Sequence, residues 1–205
     1  DVCSSDLRNA VEYISPNMSG LEFKVGASTQ YQNAVEDETV DGKNENLRAY
    51  FLSAAYANGG LKAALTYDRA KFQSEAPGTV AQTEWLASVG YDFGMVKVGA
   101  GYDRSRDTDD NVKKTWRINV GAPISANDAV ALSYSRQKLD HADAALSDSK
   151  GSGWGVSYSH AMSKRTNVYA TYGNVSVDDE LQGTTGLDGA GSYESAFKVG
   201  MRHFF

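Results

Sequence analysis

Eleven ionisable residues recur at one parity within short polar–apolar alternations: Arg8, Glu12, Lys24, Arg48, Lys62, Asp68, Asp92, Lys97, Arg117, Lys198 and Arg202. Glu22, Asp103, Thr66, Ser88, Asn119, Ser157 and Ser159 share that parity. Fixed charges of both signs along a wall act on ions by admitting one sign and repelling the other, which is selection and not bond chemistry. The basic members, eight in number from Arg8 to Arg202, slightly outnumber the acidic ones. The segment 33–46 instead gathers Glu36, Asp37, Glu38, Asp41 and Glu45, so the expectation is a mildly positive wall with a negative mouth.

Bond-making chemistry finds little support. The three histidines are His141, in a polar connection, and His160 and His203, at apolar-face positions near a turn or terminus. A serine hydrolase needs a serine and a histidine on one surface with an orienting partner, whereas Ser157 and Ser159 have the opposite parity from His160. One cysteine and sparse histidine argue against a transition-metal site. Gly99, Ala100 and Gly101 open no helix and so make no phosphate cradle; small residues on a crowded wall explain them. The expectation is a protein that is no enzyme and carries no cofactor.

Such a charged row needs a scaffold with two unlike faces. Counting back by twos from the end gives His203, Met201, Val199 and Phe197, while the interleaved set contains Arg202, Lys198 and Glu194. The same period-two pattern recurs along the chain in pieces of roughly ten residues, the signature of membrane-spanning strands. Eleven strands are predicted, over residues 8–15, 21–32, 47–58, 61–73, 83–93, 95–106, 114–124, 129–139, 152–162, 166–177 and 193–205. The connections alternate between short turns and long polar segments near 33–46, 74–82, 107–113, 140–151 and 178–192. Bacterial outer-membrane barrels show that asymmetry, with short periplasmic turns and long extracellular loops.

Parity then sets Leu21, Phe23 and Val25; Leu61, Leu65 and Tyr67; Trp85, Val89 and Tyr91; Val98 and Tyr102; Trp116, Ile118 and Val120; Leu132 and Tyr134; and Trp154, Val156 and Tyr158 toward lipid. Aromatic rings near strand ends would sit at the headgroup level. The competing arrangement is a soluble two-sheet protein with Trp85, Val98 and Ile118 meeting in a dry core. Charges on the opposite face speak against it, because a buried unpaired charge costs several kcal/mol; a barrel of about 16 strands encloses water instead. Mean hydropathy of -0.46 and 41% hydrophobic residues leave no run of about 18 apolar residues for a membrane helix. Twenty glycines and twelve tyrosines against three prolines suit strands and tight turns. A net charge of -6 disfavours nucleic acid and suits a surface facing water, outer-membrane lipid and lipopolysaccharide.

Residues 1–7, DVCSSDL, can be spelled GACGTGTGCTCTTCCGATCT plus one base, which resembles the end of a sequencing-library adapter read in frame. They are expected to be foreign to the fold, and Cys3 goes with them. Residues 8–205 then form one domain. An odd strand count and a first connection that is short place Arg8 at the outer side, an expectation of a truncated barrel. Open first and last strands would keep it from inserting stably alone.

RNAVEYISPNMSGLEFKVGAS, SKRTNVYATYGNV and KVGMRHFF resemble segments of the general diffusion porins of Gram-negative bacteria, in particular the trimeric beta-proteobacterial kind, over essentially all of residues 8–205. The resemblance implies an all-β fold, an antiparallel transmembrane β-barrel of the 16-stranded porin type, present here as an incomplete barrel of about 11 strands, the sixth to the sixteenth. It also implies a homotrimer in the outer membrane and passive diffusion of small hydrophilic solutes and ions. Arg8 would match a basic wall residue facing a constriction loop that precedes this chain, with Arg48 a second contributor, and Phe205 would be the signal to the barrel assembly machinery. With that loop's acidic residues absent, the basic positions lean toward a weak anion preference. Two alternatives stand beside this reading: a substrate-specific channel, for which Tyr50 and Tyr56 are the inward aromatic candidates, and a structural or adhesion barrel with a plugged lumen.

Overall fold

The computed structural model describes residues 8–30, 48–73, 79–144, 146, 148–177 and 195–204. These form eleven strands: β1 (Arg8–Ile14), β2 (Leu21–Gln30), β3 (Arg48–Asn58), β4 (Leu61–Gln73), β5 (Thr79–Asp92), β6 (Lys97–Arg106), β7 (Val112–Pro123), β8 (Asp128–Asp140), β9 (Ser149–Ala161), β10 (Thr166–Val177) and β11 (Ser195–His203). Every strand predicted from alternation is present. Two begin three or more residues earlier than their patterning suggests. Thr79 already pairs with Gln73, and Ser149 to Gly151 pair with Leu139 to Gln137. Ladder hydrogen bonds extend both hairpins into polar sequence that reads as loop, because backbone pairing needs no apolar side chain.

Each strand pairs antiparallel with the next, in the order β1 to β11, and β1 and β11 each have one partner, so the sheet is open. The short connections are fixed by local hydrogen bonds. Asn17 Oδ1 accepts from the Gly20 amide at 2.8 Å, Asp92 Oδ1 from the Gly94 amide at 2.8 Å, and Ser125 Oγ from the Asn127 and Asp128 amides at 3.1 and 3.0 Å. Gly20 has φ +98° and lies so close to β3 that a Cβ there would stand 2.3 Å from the Ala57 carbonyl oxygen. Only glycine meets both demands. On the long-connection side Asp107 Oδ1 accepts from the Asp109 and Asn111 amides at 2.9 Å each, and Asn111 Oδ1 accepts from the Ala142 amide at 3.0 Å, tying two neighbouring connections together.

Opposed residues in an antiparallel pair share a face, so register carries one strand's parity to the next. Val25, Leu52, Tyr67, Trp85, Arg104 and Lys114 follow one another on one face, as do Phe23, Ala54, Leu65, Ala87, Tyr102, Trp116 and Arg136. That face is an apolar band edged by rings. On its long-connection side Tyr67 and Trp85 stand 4.3 Å apart, Trp116 and Tyr134 5.2 Å, and Trp154 and Tyr172 5.7 Å; on its turn side Tyr91 and Phe93 stand 4.5 Å apart. Two aromatic rows flanking an apolar belt mark the two interfaces of a bilayer.

Leu139 is the one large apolar side chain buried among the described residues, whereas Trp85, Val98 and Ile118 are 44%, 41% and 47% exposed. The dry-centre arrangement is therefore excluded. An apolar band this exposed needs lipid or a second apolar surface against it.

Candidate functional site

The polar face is the candidate site. Its composition follows from the same register, read one residue out of step. Lys24 opposes Ser53, which opposes Thr66; Ala57 opposes Lys62, which opposes Gly90; and Gly101 opposes Arg117, which opposes Ser135. Lys198 lies opposite Thr171 and Arg202 opposite Asn167. Glu12 stands opposite Gly26, and Arg8 takes the same parity at its backbone position opposite Gln30. Asp68, Asp92 and Lys97 complete the row. Ten of the eleven sequence-assigned wall residues thus share one face.

Arg48 is the exception, and it corrects the sequence reading. It has the parity of Tyr50, Leu52 and Tyr56 and opposes Lys71, so it belongs to the apolar face, at its long-connection edge. Tyr50 and Tyr56 move with it: they oppose Ala27 and Leu21. The reason lies in β3 itself. RAYFLSAAYAN alternates weakly, and its two parities, Arg48–Tyr50–Leu52 and Ala49–Phe51–Ser53, are equally mixed. Pairing decides the matter, because Leu52 must join Val25 and Tyr67 while Phe51 joins Gly26 and Asp68.

Two inward ionisable residues were missed. Glu84 opposes Asp68 and has the same parity as Ser88 and Asp92, so parity alone could have found it. Lys113, opposite Ser105, lies in polar sequence that reads as loop. Glu84 and Asp103 are diagonal neighbours across β5–β6, with Asp68 and Lys113 close by, making an acidic patch on β4–β6 toward the long connections. Lower on the wall charges are paired. Lys97 bridges Asp92 at 3.1 Å across the β5–β6 turn, and Lys24 reaches Glu22 at 3.6 Å. Arg117, Lys62, Lys198 and Arg202 make no ion pair among the described residues.

Small residues keep this face open. Arg117 lies along the wall over Gly101, whose Cβ position would be 3.3 Å from its Cγ, and Asn119 lies over Gly99. Two inward rings, Phe51 and Tyr169, lie on Gly26 and Gly200, where a Cβ would come within 2.2 and 2.4 Å of them. The result is a polar trough, with a recess of about 700 Å³ lined by Glu22, Lys62, Ser88, Arg117 and Asn119 and a second of about 530 Å³ over β7–β11.

His160 and His203 fall on the apolar face at its turn side, opposite Asp128 and Thr166. Asp128 Oδ1 accepts from Tyr158 Oη at 2.5 Å and contacts His160 Nδ1 at 2.8 Å, and Thr166 Oγ1 contacts His203 Nδ1 at 2.8 Å. These pin turn-side side chains and lie across the sheet from the trough. The acidic segment 33–46, residues 1–7 and Phe205 lie outside the described residues.

Comparison with known proteins agrees with the geometry. A family model described as Gram-negative porin matches residues 2–180. An outer membrane porin protein of Bordetella pertussis is 28% identical over 96% of this chain and 57% of its own length, and outer membrane porin protein 32 of Delftia acidovorans is 27% identical over 96% and 56%. Among solved structures, OmpF of Salmonella typhi in complex with daunomycin superposes with a TM-score of 0.71 at 15% identity, covering 96% of this chain and 62% of that one. The outer membrane channel DcaP of Acinetobacter baumannii superposes at 0.72 and 14%, covering 95% and 62%. The chain spans a little over half the length of these curated relatives.

Proposed function

This chain belongs to the Gram-negative porin family and is an outer-membrane protein, and we propose on that ground that its polar face is one wall of a water-filled channel for passive diffusion of small hydrophilic solutes and ions. The single observation that carries this is the separation of faces: apolar side chains and ring rows on one side of all eleven strands, and on the other Arg117, Lys62, Lys198 and Arg202, which make no ion pair among the described residues. Such cations are tolerable only in contact with water.

The passage is weakly selective, with a slight preference for anions. Its described wall carries Lys24, Lys62, Lys97, Lys113, Arg117, Lys198 and Arg202 against Glu12, Glu22, Asp68, Glu84, Asp92 and Asp103, a nearly even balance once Arg48 is assigned outside. Inward rings folded onto glycines, and the loss of Tyr50 and Tyr56 from the wall, favour a general passage over an aromatic slide for one substrate. The sheet supplies eleven strands of a 16-stranded barrel assembled as a trimer; two strands with one partner each among the described residues and the partial coverage of relatives support the barrel, and the family resemblance supports the trimer. The alternation of β11 suits recognition of the terminal strand by the barrel assembly machinery. No catalytic step or cofactor is assigned.

The test is planar-bilayer recording on the complete protein. Large ohmic steps, weak ion preference and no block by millimolar sugars are expected. Sugar-blocked current would favour a specific channel, and absence of steps a structural barrel.

A further inference from the structure

Sulfur is placed unevenly on this sheet. The chain holds four methionines, Met18, Met95, Met162 and Met201, and all four gather toward its turn side. Met18 lies in the β1–β2 connection, Met95 in the β5–β6 turn and Met162 in the β9–β10 turn, while Met201 is on β11, two residues before His203. None faces the polar trough, and none stands at the long connections.

The turns are held together without the methionine side chains. Met18 and Leu21 exchange backbone hydrogen bonds at 2.8 and 3.2 Å, the Phe93 amide donates to the Val96 carbonyl at 2.8 Å around Met95, and the Met162 amide donates to the Thr166 carbonyl at 2.9 Å. Met18, Met95 and Met162 are left 48%, 81% and 61% exposed. Their neighbours fix their depth. Met162 stands two residues, roughly 7 Å, beyond His160, and the opposed pair of Asp128 and His160 already marks the polar edge of the apolar band. Met95 sits between Asp92 and Lys97, whose ion pair spans its turn. Both thioethers therefore lie on the water side of the headgroups. Met201 differs: it opposes Val168 and shares the outward face with Val199 and Phe197, where an apolar surface must cover it. Phe93 and Ile124 share the exposed turn-side rim. What the methionines add to it is sulfur open to water.

An exposed thioether takes one oxygen from a two-electron oxidant. Sulfur attacks one oxygen of hydrogen peroxide, the S–O bond forms as the O–O bond breaks, and the departing hydroxide takes the proton from the transferred oxygen. Sulfoxide and water result, with sulfur oxidised by two electrons. A sulfoxide reductase reverses this with a dithiol, which becomes a disulfide as the oxygen leaves as water.

We propose that Met18, Met95 and Met162 form an oxidation and repair site on the periplasmic rim, where hydrogen peroxide is taken up as methionine sulfoxide and a sulfoxide reductase restores the thioether. The backbone bonds that hold the turns do not use the thioethers, so fold and passage survive the change. The periplasmic placement rests on the porin reading, in which short turns face the periplasm.

The test treats the complete porin in detergent micelles with hydrogen peroxide and follows each methionine by peptide mass mapping. The three turn methionines should oxidise at least about tenfold faster than Met201, since reaction follows access. Methionine sulfoxide reductases A and B with dithiothreitol, added to the folded oxidised porin, should return nearly all of the turn sulfoxide. Single-channel conductance should be the same before oxidation, after it and after repair. Equal oxidation of Met201 would overturn the site, as would turn sulfoxides that the reductases reach only after denaturation. Conductance lost on oxidation and recovered on repair would overturn the sparing of the passage. Met18→Leu with Met95→Leu and Met162→Leu should conduct as the parent does and take up no oxygen at its turns; if it does not assemble, the oxidation and repair of the parent decide the question. Uniform oxidation with normal conducting steps would sink this inference alone; absence of steps in the untreated protein would sink the channel reading and leave the turn chemistry standing.

Discussion

Reversing Arg117 should change which ions pass, and reversing Arg48 should not. Arg117 occupies the middle of β7 on the inward face, flanked by Gly101 and Ser135, with its stem laid on the wall. An ion passing about 8 Å from the guanidinium group in water feels about 0.5 kcal/mol per unit charge, and one Debye length of screening at physiological salt cuts this to about 0.2 kcal/mol. Arg117→Glu changes the wall by two units, so anions lose about 0.4 kcal/mol and cations gain as much. The anion-to-cation permeability ratio should therefore fall about fourfold, by about 0.8 kcal/mol in all. Reversal potentials of the complete porin in a salt gradient measure this. The shift should nearly vanish near 1 M salt, where the screening length is about 3 Å. Arg48→Glu makes the same change of charge on the outward face and should leave the ratio where it was. A shift from Arg48→Glu as large as that from Arg117→Glu would show that the register assigned to β3 is wrong.

Three further outcomes are expected. Leu65→Arg, on the lipid side of β4, should cost about 2–4 kcal/mol in urea refolding titrations of the complete porin in vesicles, while its neighbour Thr66→Arg, facing water, should stay within about 0.5 kcal/mol of the parent. Gly20→Ala should be much worse than Gly59→Ala in heat-modifiability assays: both force alanine to positive φ, at about 1–2 kcal/mol, but a Cβ at Gly20 also meets the Ala57 carbonyl at 2.3 Å while one at Gly59 meets nothing within 4 Å. A double-mutant cycle on Tyr67 and Trp85, whose rings are 4.3 Å apart, should show a coupling of about 0.5–1.5 kcal/mol, and the same cycle on Tyr67 and Trp154, on separated strands, none.

The strands were legible from the chain because each carries its own evidence: a period of two bounded by turn residues needs no knowledge of neighbours. Faces were legible wherever that period was strong. In β5 and β7 the sets Trp85–Ala87–Val89–Tyr91 and Trp116–Ile118–Val120 leave no ambiguity, and Arg117 follows from its position between Trp116 and Ile118. β3 has no such contrast. Its Arg48, Tyr50 and Tyr56 suit a lumen or an interface equally, and a one-residue change of parity exchanges the two. The information that resolves it sits in other strands: Gly26 leaves room for the Phe51 ring, and Tyr67 and Val25 leave room for Leu52. Glycine opposite an inward ring is thus a register signal written across two strands, which a reading of each strand alone does not use.

The same cross-strand logic separates the two charge sets of this chain. Read strand by strand, Lys114, Arg136 and Lys138 are polar ends of strands running into loops. Read across the ladder, they line up with Arg104 and Lys150 beyond one aromatic row, while Lys24, Lys62, Arg117 and Lys198 keep the opposite parity lower on the sheet. A channel wall needs charges of both signs spread through its depth, and the inner set has them. The outward set instead carries one sign at one depth, beyond a single aromatic row. Parity and height together, not residue type, assign each cation its surroundings, so a lysine count or net charge for the whole chain does not tell which face a charge serves.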